Sequence, residues 1–216
     1  MNSKLTKFAL TAATGLALTL LACEDKEKNQ TQQPTQEAAA PPKQEAAAPP
    51  PAEKAGESIK SVKIGTQTWM AENLNIETAG SKCYDNKPEN CQKYGRLYDY
   101  EAAIKACPSG WHLPSKAELD KLIAFAGGED NADGHLKAKS GWEDGGNGED
   151  KFGFAALPGG YGSTFSNAGN YGYWWSSTKY DNNHAYYLFI YSSEEAGYSY
   201  GYEKKDMLYS IRCIKD

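Results

Sequence analysis

An apolar leader that stops on a cysteine decides where this chain folds, and through that which chemistry its other cysteines adopt. Lys4 and Lys7 form a short basic start, and Phe8 to Leu21 is an apolar stretch interrupted by Thr, Gly and Ala. Such a stretch is too short to span a bilayer comfortably and reads as a cleavable signal over residues 1–22. The rest of the chain is then expected to mature where thiols oxidise. Setting Cys23 aside leaves Cys83, Cys91, Cys107 and Cys213, an even set that implies two disulfides and leaves three connectivities open. The preferred pairing joins Cys83 to Cys91 around Asp85-Asn86-Lys87-Pro88, and Cys107 to Cys213. The second bond would tie the end of an early helix to the last strand. A zinc site is disfavoured, because there is no C-x-x-C and no neighbouring pair of histidines.

Leu20-Leu21-Ala22-Cys23 resembles the lipobox of bacterial lipoproteins, in which the cysteine carries acyl chains such as palmitate and the peptide is cut just before it. Acyl chains anchor a protein to a membrane without a spanning helix. Losing Lys4 and Lys7 with the leader moves the formal charge from −5 to −7. An acidic chain argues against nucleic acid as a partner and against an electrostatic grip on anionic lipid, so the membrane contact rests on the acyl anchor at Cys23. Glu24 and Asp25 resemble the acidic export signal that some Gram-negative phyla place after the lipidated cysteine. The expected location is the cell envelope, at the outer membrane and displayed on the surface. Residues 23–58 hold almost no bulky apolar side chain and repeat Gln36-Glu37-Ala38-Ala39-Ala40-Pro41-Pro42 as Gln44-Glu45-Ala46-Ala47-Ala48-Pro49-Pro50. That composition cannot offset the entropy of ordering, so the segment reads as a tether reaching on the order of 100 Å if extended.

From Ile59 to Asp216 the chain turns Gly- and aromatic-rich with aliphatic residues spaced for packing, enough for one domain with a core. Val62 to Ile64 and Gln67 to Met70 alternate around Gly65-Thr66 as a hairpin. Tyr98 to Ala106 is helix-compatible. Ser115 with Glu118 three residues on makes a capping box. Leu119, Leu122, Ile123 and Phe125 fill one face of the helix it starts, and Gly127-Gly128 ends it. Gly128 to Gly169 reads as a long loop region. Tyr173 to Ser177, Ala185 to Tyr191, Tyr198 to Glu203 and Tyr209 to Ile214 read as strands of an antiparallel meander.

Five strings then carry a family resemblance. They are Val62-Lys-Ile-Gly-Thr-Gln-Thr-Trp-Met-Ala-Glu-Asn-Leu-Asn75, Cys107-Pro-Ser-Gly-Trp-His-Leu-Pro-Ser115, Phe152-Gly-Phe-Ala-Ala-Leu-Pro-Gly-Gly160, Tyr171-Gly-Tyr-Trp-Trp-Ser-Ser-Thr178 and Tyr209-Ser-Ile-Arg-Cys-Ile-Lys-Asp216. In this order, over the whole of 59–216, they resemble the Fibrobacter succinogenes major paralogous domain. The resemblance implies an α+β, C-type-lectin-like fold: two helices flanking small antiparallel sheets, a long loop region, and a disulfide from helix to terminal strand, which the Cys107–Cys213 pair suits. It brings no settled activity.

Function therefore has to be argued from sites. The calcium-binding strings of sugar-binding C-type lectins, Glu-Pro-Asn or Gln-Pro-Asp followed by Trp-Asn-Asp, are absent. Two acidic loops remain, Glu129, Asp130, Asn131 and Asp133, then Glu143, Asp144, Asn147, Glu149 and Asp150. Asp144, Asn147, Glu149 and Asp150 are the candidate calcium ligands, although an EF-hand register starting in these loops would put Ser140 where a bidentate carboxylate is needed. Aromatic rings are the other candidate chemistry, since Trp and Tyr lay an apolar face on a sugar while a hydroxyl or N–H reaches polar groups. Trp69, Trp111 and one of Trp174 and Trp175 are expected in the core, because strand alternation sends neighbours to opposite faces. Trp175 is assigned to the outer face, forming a ligand-binding platform with Tyr161, Tyr171, Tyr173 and the strands from Tyr186 to Tyr202. An enzyme related to formylglycine-generating oxidases would need paired reactive cysteines, whereas Cys213 stands alone near the end of the chain. No hydrolase, metalloprotease or phosphate-binding motif occurs, and His112, His135 and His184 are scattered, with His112 read as structural. The reading is a non-catalytic recognition domain for polysaccharide or another envelope protein. An enzyme and a purely structural envelope protein are the alternatives.

Overall fold

The computed structural model describes residues 59–128, 130–192 and 198–216. The leader, Cys23, Glu24, Asp25, the tether and Glu129 lie outside the described residues. In chain order the elements are β1 (Ser61–Ile64), β2 (Gln67–Met70), β3 (Ser81–Lys82), a 3-10 turn (Tyr84–Asn86), α1 (Pro88–Tyr94), β4 (Leu97–Tyr98), α2 (Tyr100–Ala106), β5 (Trp111–His112) and α3 (Lys116–Phe125). They continue with α4 (Ala132–Leu136), β6 (Gly159–Tyr161), β7 (Ser166–Ala168), β8 (Tyr171–Lys179), β9 (His184–Tyr191), β10 (Tyr198–Lys204) and β11 (Ile214–Lys215). The architecture is α+β. Three sheets are ordered β1-β2-β11-β5, β10-β9-β8-β6-β7 and β3-β4.

The local expectations that depended on short-range chemistry hold. β1 and β2 pair antiparallel from Ser61↔Met70 to Ile64↔Gln67, and Gly65 turns the corner at φ +60°. A side chain there would also press to within 2.9 Å of the Phe125 ring, so the turn and the end of α3 share one small residue. Helix α3 opens on the expected capping box: Ser115 Oγ accepts from the Glu118 N–H, and Glu118 Oε2 accepts from the Ser115 N–H at 2.8 Å. Both disulfides form as preferred, Cys83–Cys91 and Cys107–Cys213, with Cα separations of 4.9 and 5.9 Å.

Other expectations are corrected. Among the described residues there are four α-helices where two were expected. Helix α1 starts inside the small disulfide loop and carries Cys91 in its middle, with Pro88 in its first turn, where its missing N–H costs nothing. Within the expected loop region, α4, β6 and β7 are ordered, and β6 runs parallel beside β8. The expected strand from Tyr209 to Ile214 is regular only at β11. Upstream of β11 the chain crosses from one sheet to another, and its backbone groups are satisfied singly by several partners. Tyr209 exchanges bonds with Tyr98, the Ser210 N–H donates to Tyr173 O, Ile211 O accepts from Leu74 N, and Cys213 O from Met70 N.

Two cores flank the five-stranded sheet. Trp69, Leu119, Leu122, Ile123, Trp174, Leu188 and Ile190 pack under α3. Tyr98, Tyr100, Ala103, Trp175, Tyr209, Ile211 and Cys213 pack under α2. Alternation does send Trp174 and Trp175 to opposite faces, yet they are 1% and 0% exposed, because each face of β8 is covered here. The assignment of Trp175 to an outer surface is therefore corrected. Its indole N–H donates to Tyr98 O at 2.8 Å, so burial gains roughly 2–3 kcal/mol of hydrophobic energy and leaves no orphaned donor. Trp69 is buried as expected, Trp111 is half-buried, and Trp142 is a further core indole.

His112 is hydrogen-bonded through both ring nitrogens. Its Nδ1 lies 2.7 Å from Asp216 Oδ1 and its Nε2 lies 3.0 Å from Glu118 Oε1. Burial works against the imidazolium, but the Asp216 and Glu118 carboxylates outweigh it and raise the His112 pKa above 6.5. A raised base stabilises the fold fully below pH 6.5 and loses that contribution as pH rises through the folded value. The native chain is therefore expected to lose a little unfolding free energy as pH rises above 6.5, and His112→Gln should flatten that decline, measured by urea titration across that range. The amplitude is expected to be under ~1 kcal/mol, because these groups are solvent-screened. A native chain equally stable on both sides of that window would refute the assignment.

Candidate functional site

The register of β8 against β9 stacks aromatic residues on one face of the five-stranded sheet. Tyr171 pairs with Tyr191, Tyr173 with Phe189, and Trp175 with Tyr187, so every second residue of both strands points the same way. The parallel pairing of β6, Gly160↔Gly172, sets Tyr161 beside Tyr173. Ring centroids are 5.5 Å apart for Tyr161–Tyr173, 5.8 Å for Tyr171–Tyr173, 5.9 Å for Tyr173–Phe189 and 6.0 Å for Tyr171–Tyr191. Each spacing lies in the range where aromatic pairs attract.

Burial grades along this face. Trp175 and Tyr209 form its floor, closed by α2 and the crossing segment, while Tyr161, Tyr171, Tyr173, Tyr187, Phe189 and Tyr191 are half-buried. Three of the four residues expected in the platform, Tyr161, Tyr171 and Tyr173, are thus brought into mutual contact, and the fourth, Trp175, supports them from below. Of the strands from Tyr186 to Tyr202 also expected there, Tyr186 and Tyr202 lie on the opposite face, whereas Tyr187, Phe189 and Tyr191 complete this one. Their alternation in His184-Ala-Tyr-Tyr-Leu-Phe-Ile-Tyr191 is visible in the chain, but which face they share with Tyr171 and Tyr173 depends on register. Gly201 on β10 makes room for this layer, since a Cβ there would sit 2.3 Å from the Tyr187 hydroxyl.

The rim is polar. Asn167 Nδ2 donates to the Tyr173 hydroxyl at 3.4 Å, Asn170 Nδ2 donates to Glu143 Oε2 at 2.8 Å, and Ser192 Oγ donates to Asn170 Oδ1 at 3.2 Å. Burial pushes the phenols of Tyr173, Tyr187 and Tyr209 above their usual value, with Glu203 adding to the shift at Tyr187. They stand as neutral hydroxyls able both to donate and to accept.

The candidate calcium ligands do not assemble. Asn147 Oδ1 accepts from the Trp142 N–H at 3.0 Å, and Asp150 Oδ1 accepts from the Ala155 N–H at 2.7 Å, so each oxygen braces its own loop. The Glu149 carboxylate lies 3.9 Å from His135 Nε2, and Asp144 occupies a left-handed turn position at φ 53°. Among the described residues no group of three or more His, Cys, Asp or Glu side chains could hold a metal ion. Cys213, the sulfur an oxidase of the formylglycine-generating type would need, is bonded to Cys107. The histidines are engaged separately: His112 as above, His135 with Ala126 O, and His184 with Asp181.

Compared with protein families, residues 62–215 match the model of the Fibrobacter succinogenes major domain. The chain belongs to that family. A search of curated proteins returns no match, and neither does a search of solved structures. The five strings that carry the resemblance have separate tasks in this chain. Val62–Asn75 supplies the hairpin and Asn73, and Cys107–Ser115 anchors a disulfide and caps α3. Phe152–Gly160 supplies the carbonyls that meet Arg212, Tyr171–Thr178 is β8, and Tyr209–Asp216 is the crossing segment with β11. The third and fifth strings thus meet in the interior. The aromatic face lies against the fourth.

Proposed function

We propose that this Fibrobacter major domain is a non-catalytic recognition module whose aromatic sheet face binds carbohydrate outside the cell, and that the chain is held at the envelope by acyl groups on Cys23. One observation carries the reading: six half-buried aromatic rings in mutual contact, rimmed by the amides of Asn167 and Asn170. Surfaces of this kind exceed what packing needs and suit ligands that are apolar on one side and hydroxylated on the other. The arrangement also supports a C-type-lectin-like fold. The last strand β11 returns between β2 and β5, and a disulfide joins the end of α2 to the segment before β11. Binding would proceed without a metal, because Asn147 and Asp150 each turn an oxygen to a backbone N–H and the Glu149 carboxylate faces His135 instead of joining them.

The test is a glycan array and an insoluble-cellulose pulldown with the unlipidated chain. Tyr171→Ala combined with Tyr191→Ala is expected to weaken binding roughly tenfold or more, with EDTA making no difference. Retention of full binding by the double variant, or its loss on chelation, would overturn the reading.

A further inference from the structure

A second aromatic cluster stands at the far end of the same sheet and on its other face. Tyr180, just after β8, and Tyr202, on β10, are 49% and 51% exposed, among the most exposed large apolar side chains of the described residues. Their rings lie parallel, 3.8 Å apart and 5° from coplanar. That is tighter than the offset or edge-on geometry, at about 4.5–7 Å, which aromatic pairs usually prefer. Tyr186 braces Tyr180 edge-on at 5.6 Å, and His184 braces Tyr202 edge-on at 6.0 Å.

The turn beneath the stack is pinned. Asp181 Oδ1 accepts from the N–H groups of Asn183 at 2.7 Å and His184 at 2.8 Å, and from His184 Nδ1 at 2.9 Å. Lys205 Nζ donates to Asn182 O at 2.6 Å. Rings this exposed add little to stability, yet their positions are set by the pinned turn and by two flanking rings. A surface ordered before any ligand arrives loses less entropy on binding. Tyr202 pairs across the strands with Tyr186, not Tyr187, which places the stack on the face opposite Tyr171 and Tyr191.

We propose that the Tyr180–Tyr202 stack is a second, separate carbohydrate site, taking the C–H face of an uncharged pyranose ring on its outer ring face, with the exposed Asn182 and Asn183 amides meeting the sugar hydroxyls. The stack chemistry selects this ligand. An aromatic face is electron-rich and attracts polarised C–H groups or a cation, but a cation is best held in a cage of several rings, and here the inner faces are closed against each other. The Asp181 carboxylate that a cation would also need is already accepting three hydrogen bonds.

The test titrates neutral hexasaccharides (cello-, xylo-, manno- and chito-series) and oligogalacturonate into the full unlipidated chain by calorimetry. Two sites are expected on a neutral oligosaccharide. Tyr180→Ala with Tyr202→Ala should remove one of them, read as a roughly tenfold or greater loss at that site with thermal unfolding unchanged. Tyr180→Phe with Tyr202→Phe, which keeps the rings, should retain it. The proposal is overturned if the double-alanine variant titrates like the native chain, if only oligogalacturonate binds, or if no sugar binds. Loss of all binding through Tyr171→Ala and Tyr191→Ala, with the Tyr180 and Tyr202 variants silent, removes this site while leaving the aromatic sheet face standing.

Discussion

Replacing Arg212 with Met is expected to cost about 3–5 kcal/mol of unfolding free energy, measured by urea or guanidinium titration. Arg212 is 1% exposed, and among the described residues it forms no ion pair, the Glu72 and Asp150 carboxylates acting on it only through space. Its guanidinium donates instead to Asn73 Oδ1 from Nη2 at 2.7 Å and from Nε at 3.0 Å, to Met70 O at 3.2 Å, and to Phe154 O. The same cation lies over the Phe154 ring, 4.5 Å from its centroid. Burial drives its pKa down to about 9, still well above neutrality, so the charged five-donor form persists. Met would fill much of the volume but leave the Met70 and Phe154 carbonyls unpaired in the interior, which is where the cost arises. Lys would keep the charge and lose the fork, so it should recover only part of the stability. An Arg212→Met variant within ~1 kcal/mol of the native chain would show that water reaches these carbonyls.

Removing the Cys107–Cys213 bond should be of similar size. It closes a loop of 106 residues, for which the chain-entropy argument gives about 4.7 kcal/mol. The Cys83–Cys91 bond closes only 8, which by the same argument is worth roughly 2.5 kcal/mol. Cys107→Ala with Cys213→Ala should therefore lower the denaturation midpoint clearly more than Cys83→Ala with Cys91→Ala. Equal losses, or the reverse order, would place the stabilisation in local packing around α1 and not in loop closure.

How much of this could be read from the chain depends on the range of the interaction. The capping box of Ser115 and Glu118, the Gly65 turn and the alternation of β8 and β9 involve residues a few positions apart, and each appears where local chemistry puts it. Helices α1 and α4 escaped notice because they are short and carry no apolar repeat. Composition also misled at Tyr209 to Cys213, a β-like string whose backbone is drawn to Tyr98, Tyr173, Leu74 and Met70 in turn. At the candidate site, Tyr161, Tyr171 and Tyr173 were legible as surface aromatics of a half-buried sheet. Tyr187, Phe189, Tyr191 and the Tyr180–Tyr202 stack required the pairing of three strands to be known.

Taken alone, the amino-acid order determined the set of crosslinkable sulfurs, the α+β class, the family and the opening hairpin, because these follow from residue identity and near-neighbour geometry. Which aromatic rings face outward was decided by the tertiary structure. Trp175 is covered because Tyr98 accepts its N–H across 77 positions, Trp174 because Asn73 waits 101 positions away, and Asn73 is itself held by Arg212 from 139 positions away. Exposure belongs to what packs against a side chain, and contacts of that span leave no periodic trace in the segment that makes them.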